Sequence, residues 1–200
     1  MLIEHRGLGP QIDPSAYVAP NAVVAGDVRL GAESRILFGA VVTAEGGPVD
    51  IGEHCIVMEN AVIRSSRRHP TRIGSHVLAG PRAYLTGCTI EDDVFLATGS
   101  TVFNGAVIGR GAEVRVNGVV HVKTVVPEGA TVPIGWVAVG DPAEILPPSD
   151  HDRIWAIQRG LNFPMEVWGL ERPVAGGTIM PEITQKYGRA LGRHRDDRIL

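Results

Sequence analysis

A chain of 200 residues is long enough for one domain with a substantial buried core. Its net charge of -3 excludes the overall positive field that general nucleic-acid or membrane-surface binding requires, so any basic patch has to be local. Aromatic residues make up only 5% while aliphatic residues and glycine abound, which fits a narrow interior filled by Val, Ile, Leu and Ala. The opening MLIEHRGLGP has no basic region followed by an apolar run, and no stretch approaches the ~18 apolar residues of a membrane span. A cytoplasmic protein with no membrane or nucleic-acid partner is expected. Cys55 and Cys88 are read as small buried thiols that stay reduced in such a compartment.

From Ile12 onward an aliphatic residue returns every six positions: Ile12, Val18, Val24, Leu30, Ile36 and Val42. The count resumes at Ile51, Ile73, Ile90, Ile108 and Val126, each heading a further group of three hexads. Period six is neither the 3.6 of a helix nor the alternation of an ordinary strand. Each hexad is read as a short strand and a corner, and three hexads as one triangular coil. Coils then stack at the ~4.8 Å spacing of neighbouring strands. The fold class is all-β: a parallel β-helix of about seven coils over residues 1–146, followed by a helical tail over 147–200. A β-sandwich would not hold a six-residue count for so long.

Breaks in the count mark loops. Extra residues fall between Val42 and Asp50 and between Ile63 and Arg72, so Ser65–Pro70 should project from a corner, while the coil from Ile73 is one residue short. With these breaks, Thr43, Arg64, Thr86, Phe103 and His121 stack in one column, and Glu59, Pro81 and Thr98 in another. His54, His76 and Asp93 form a third, read as a solvated ladder at a corner, with a substitute metal held by the three as the alternative. His5, His151 and His194 show no partner pattern.

From Asn60 to Ile90 there is no acid, whereas Arg64, Arg67, Arg68, Arg72 and Arg82 are all present. Two readings stand. The arginines pair with Glu45 and Glu59, or they form a pocket for a carboxylate or phosphate, which guanidinium forks grip in bidentate fashion. Arg64, Arg82 and Thr86 are the candidate ligand-binding residues, with Glu45, Glu59 and His69 as candidate acids or bases.

After Pro147-Pro148, Ser149 is expected to cap a helix that carries Ile154, Ile157 and Leu161 on one face. Asn162-Phe163-Pro164 should interrupt it. A second helix is expected from Pro181 to about Leu191, and the charged residues 193–200 are expected to be mobile.

The opening QIDPSAYVAPNAVVAGDVRLG, the FGAVVTAEGG turn, the two Ile-Gly coils from Ile51 and the closing VVPEGATVPIGWVAVGDPAEI together resemble the gamma-class carbonic anhydrases of the hexapeptide-repeat superfamily. The resemblance implies a left-handed β-helix and a homotrimer. It also implies a metal held by three histidines from two subunits, at positions that here carry Arg64, Pro81 and Thr86. No metal is therefore expected as cofactor. The expected function is a carbonic-anhydrase-like protein without the inherited metal, binding or acting on a small anionic metabolite in an arginine-rich inter-subunit pocket. Whether it is an enzyme stays open. Relatives in the superfamily bind acyl-coenzyme A between subunits, which leaves a coenzyme A thioester and acyl transfer as one alternative and a catalytically silent assembly trimer as another.

Overall fold

The computed structural model describes residues 1–174 and 176–200. Among these residues three sheets form the faces of a prism, two parallel ones of seven strands and one of ten that is parallel except for an antiparallel strand at each end. The hexad leaders become the columns of its interior. Ile12, Leu30, Ile51, Ile73, Ile90, Ile108 and Val126 are successive register partners on one face. Val18, Ile36, Val57, Ala79, Leu96, Val114 and Val132 line the second. Val24, Val42, Ile63, Leu85, Val102, Val120 and Ala138 line the third. Strand Leu2–Glu4 stacks against Val23–Ala25 and so begins an extra turn, which brings the solenoid to about eight turns instead of seven.

Close stacking explains the Ile-Gly pairs. A Cβ placed on Gly31 would lie 2.6 Å from the backbone of Gly52, and one on Gly52 would lie 2.7 Å from the backbone of Gly74. Any larger residue there would force neighbouring coils apart. Cys55 and Cys88 are buried as expected, and burial pushes the Cys88 thiol up to about 12, so it stays protonated.

Beyond the last coil, a 3-10 turn at Pro148–Asp150 leads into α1, His151–Leu161. Ser149 lies inside that turn instead of capping the helix, because Pro148 already supplies the fixed backbone angle of a first helical position. Asn162, at φ 46°, breaks the helix, and α2, Phe163–Trp168, follows at once. The third helix, α3, runs Met180–Leu191 with Pro181 in its first turn. No helix among the described residues is long and apolar enough to cross a membrane.

The final residues depart from the mobile tail expected of them. They form a 3-10 turn, Gly192–Asp196, and a strand, Arg198–Ile199, that pairs antiparallel with Leu2–Glu4. Charge composition suggested mobility; two long-range contacts override it. Asp197 reaches His5, and the Leu200 N–H donates to the Leu2 carbonyl.

Candidate functional site

Arg64, Thr86 and Phe103, from the column that runs from Thr43 to His121, form the floor of a cleft. Arg64 is the register partner of both Thr43 and Thr86, and the ladder continues through Phe103 and His121. Loop Ser65–Pro70 supplies one wall and is pinned at its base, where Ser65 Oγ donates to the Gly47 carbonyl and Thr71 Oγ1 to that of Arg64. Helices α2 and α3 supply the roof. Phe163 meets Phe103 edge to face at 5.6 Å, and its ring stands 5.7 Å from that of His121 and 5.3 Å from that of Trp168. Lys186 Nζ donates to the Trp168 carbonyl at 2.6 Å, which ties α3 to α2.

The cleft has a volume of about 950 Å³ and is open on one side to solvent. Arg6, Arg64, Arg67, Arg68, Lys186 and Arg193 line it, against only two carboxylates, Glu45 and Glu166. Arg64 Nη2 donates to Tyr187 Oη at 2.8 Å and to Glu45 Oε1 at 3.4 Å. Burial opposes the charge on Arg64, but Tyr187, Tyr84 and Glu45 outweigh it and hold its proton more tightly than usual. Glu166 is claimed by Lys123, and His69 Nε2 lies 2.7 Å from its other oxygen, though out of line for a hydrogen bond. Burial alone would raise the Glu166 carboxyl; Lys123 and His69 draw it below its ordinary value.

Among the residues singled out from sequence, Glu45, Arg64 and Thr86 therefore share the cleft. Arg82 does not line it: it is exposed at a corner, in the left-handed region at φ 58°. Glu59 sits in the column beside Pro81, away from the cleft, and His69 packs behind Glu166. His121 is buried under Phe163 with no partner for Nδ1, and burial pushes its pKa down, so it is a neutral packing residue. His54 and His76 stack at 5.1 Å as a corner ladder.

Two further residues meet Glu45 at the cleft's edge. His5 and His194, which have no pattern in sequence, stack at 4.3 Å, and His194 Nε2 lies 3.2 Å from Glu45 Oε2. Nothing periodic announces them, because they come from opposite ends of the chain. The only available signal was compositional: a histidine near each terminus.

The resemblance to the gamma class assigns a histidine-held metal to the positions of Arg64, Pro81 and Thr86, and these three side chains offer no donor set of that kind. They are a guanidinium already engaged by Tyr187 and Glu45, a proline with no side-chain donor, and the neutral hydroxyl of Thr86. Zinc-type sites need nitrogen, sulfur or carboxylate donors with a lone pair at about 2 Å.

No family model matches the chain. Over 175 residues it is 34% identical to mitochondrial gamma carbonic anhydrase 1 of Arabidopsis thaliana, covering 81% of this chain and 62% of that protein, so it spans under two thirds of the relative's length. An uncharacterised protein of Dictyostelium discoideum is 30% identical over 96% of this chain and 78% of its own length. A candidate acetyltransferase from Bacillus cereus superposes with a TM-score of 0.55 at 28% identity, over 78% of this chain and 90% of that one. With three stacked-strand faces, hexad columns and these relatives, the chain belongs among the gamma-carbonic-anhydrase homologues of the left-handed, hexapeptide-repeat β-helix proteins.

Proposed function

We propose that this homologue binds a small anionic metabolite in the cleft beneath α2 and α3 and works without the histidine-held metal of its relatives. The observation that carries the reading is the imbalance of charge: six cationic side chains line a partly enclosed space with two carboxylates, both of which already have partners. Held together, such cations repel one another unless an anion neutralises them. A volume of this order suits a small organic ligand. Glu45 is the candidate acid or base that faces it, whereas Glu59, Arg82 and His69 could serve the cleft only through movement or from a neighbouring subunit.

A homotrimer would serve that last role. Pro81, next to Arg82, lines an outward apolar surface with Met58, Leu78, Phe95, Val116 and Ile134, and Ile134 is 69% exposed. In a trimer packed on this face, Arg82 and Glu59 stand at the seam. Acyl transfer is the second reading, favoured by the likeness to the Bacillus cereus protein. Coenzyme A is itself an anion, so one screen addresses both readings.

A thermal-shift screen of carboxylates, phosphates and coenzyme A esters at fixed ionic strength tests the proposal. An anion at ~100 times its dissociation constant adds about 2.7 kcal/mol per site, a clear rise in Tm. Arg64→Ala should abolish the rise. A library that gives nothing beyond a chloride control, or an Arg64→Ala protein that responds like the parent, would leave the silent assembly trimer as the better reading.

A further inference from the structure

We propose that His5, Glu45 and His194 form a binding site for a divalent transition metal of the zinc type, with Asp197 orienting both imidazoles. This goes beyond the anion-binding reading and uses positions unrelated to Arg64, Pro81 and Thr86.

Each of the three residues offers a donor atom, and these atoms lie within 4.8 Å of one another. Around a tetrahedral zinc, donors at ~2.0–2.1 Å from the ion stand about 3.3 Å apart. The His194 Nε2 to Glu45 Oε2 separation, 3.2 Å, already meets that distance. The His5 donor lies within 4.8 Å of the other two, so metal binding has to draw it in by at most about 1.5 Å.

Asp197 carries the argument further. Its Oδ1 takes the Nδ1–H of His5 at 2.6 Å and its Oδ2 takes the Nδ1–H of His194 at 2.8 Å. A carboxylate is an acceptor, so both rings must carry their proton on Nδ1 when neutral, which leaves a lone pair on each Nε2. A carboxylate behind a ligating histidine fixes both tautomer and ring direction, and here one carboxylate does this for two rings at once. The rings stack with 25° between their planes, so each turns its Nδ1 edge to the same aspartate.

Glu45 divides its oxygens in the same spirit. Oε1 faces Arg64 and Oε2 is hydrogen-bonded to His194 Nε2, so one oxygen serves the cleft while the other exchanges the His194 proton for the ion when metal binds. Two imidazoles and one carboxylate suit zinc, iron(II) or cobalt(II), and three protein ligands leave a position for water or a bound anion. Since Glu45 lines the cleft, an ion here would stand at its edge.

Three separate elements hold the donors. His5 follows strand Leu2–Glu4 and is 4% exposed, Glu45 follows strand Val41–Thr43, and His194 lies in the 3-10 turn Gly192–Asp196. The pairing of Ile3 with Ile199 and of Glu4 with Arg198 fixes the first against the third.

The test uses the full chain, treated with chelator and titrated with Co²⁺, whose visible absorption reports tetrahedral nitrogen and oxygen ligation. We expect one saturable equivalent per chain, displaced by Zn²⁺. His194→Ala should remove it, and Asp197→Asn, which keeps all three ligands, should weaken it ~10–100-fold. His76→Ala, which breaks the other histidine pair, should leave it intact. Far-UV circular dichroism of each variant reports whether the β-helix is preserved. Absence of saturable binding, equal binding by His194→Ala, or loss in His76→Ala would overturn the proposal, the first two by leaving the cluster as a hydrogen-bonded latch. The anion screen is run on the chelated chain, so failure of either reading stays separate from the other.

Discussion

At the scale of single residues, His194 decides how firmly the tail is held. The hydrogen bond to Asp197 raises its pKa above the ordinary 6.5, burial opposes this, and Glu45 adds to the rise. Burial pushes the Asp197 carboxyl upward, but His194 and His5 together bring it below the ordinary 3.8. His5 and Glu45 face His194 directly, and Arg64 and Arg6 sit on the far side of Glu45. A raised histidine contributes stability fully below its unfolded value and loses it as pH rises through the folded one. A depressed aspartate contributes above its unfolded value and loses it as pH falls through the folded one. In chelated protein, amide exchange in residues 192–200 should therefore be slowest between about pH 4 and pH 6.5 and quicken on both sides once the intrinsic pH dependence is divided out. A corrected rate that stayed flat from about pH 5 to pH 9 would contradict this. The proton and the proposed metal compete for His194, so Co²⁺ affinity should rise as pH increases above about 6.5, where the latch weakens on its alkaline side.

None of this was legible in the sequence, and the reason is physical. His5 and Asp197 are 192 positions apart and meet only because a short strand pairs across the chain's two ends. Arg64 and Thr86 were legible because a repeat converts sequence offset into vertical stacking. Arg82 illustrates the limit of that conversion: the count places it in its coil, but it does not say that the corner residue points to solvent at a positive φ.

At the scale of elements, the hexad columns account for cohesion. Leu85 is fully buried between Ile63 and Val102 in a stack with no slack in its backbone spacing. Leu85→Ala should cost about 2–5 kcal/mol, because rigid coils cannot collapse around the cavity. Equilibrium denaturation checks it, and a loss below about 1 kcal/mol would show that the prism relaxes. The helices obey weaker rules. Their existence could be read from proline and apolar spacing, but the seating of Phe163 on Phe103 and His121 depends on where an Asn162 break aims the chain. That seating makes the roof of the cleft, so half of the candidate site lay beyond the repeat's reach.

At the scale of the whole molecule, the apolar surface around Ile56, Leu78 and Phe95 asks for a partner. These residues alternate with buried ones along their strands, so the same two-residue period that fills the core also places side chains outward. Closed symmetric assembly is the ordinary way to cover such a face. The chain should sediment as a trimer at micromolar concentration, and Phe95→Glu should sediment as a monomer with its circular dichroism unchanged. A parent protein that sedimented as a monomer would remove both the seam and the proposed role of Arg82.

The strand Arg198–Ile199 also closes an edge. A β-helix ends in unpaired backbone groups that invite another copy to stack end to end, the first step of fibre growth. Here the tail occupies the Leu2–Glu4 edge in antiparallel orientation, opposite to the parallel order of the solenoid beneath it. An incoming coil of the same hand and direction finds no matching template on that face. Whatever loosens the tail thus also uncovers that edge of the ten-stranded sheet, so the contacts of His5 and His194 with Asp197 keep its backbone groups paired.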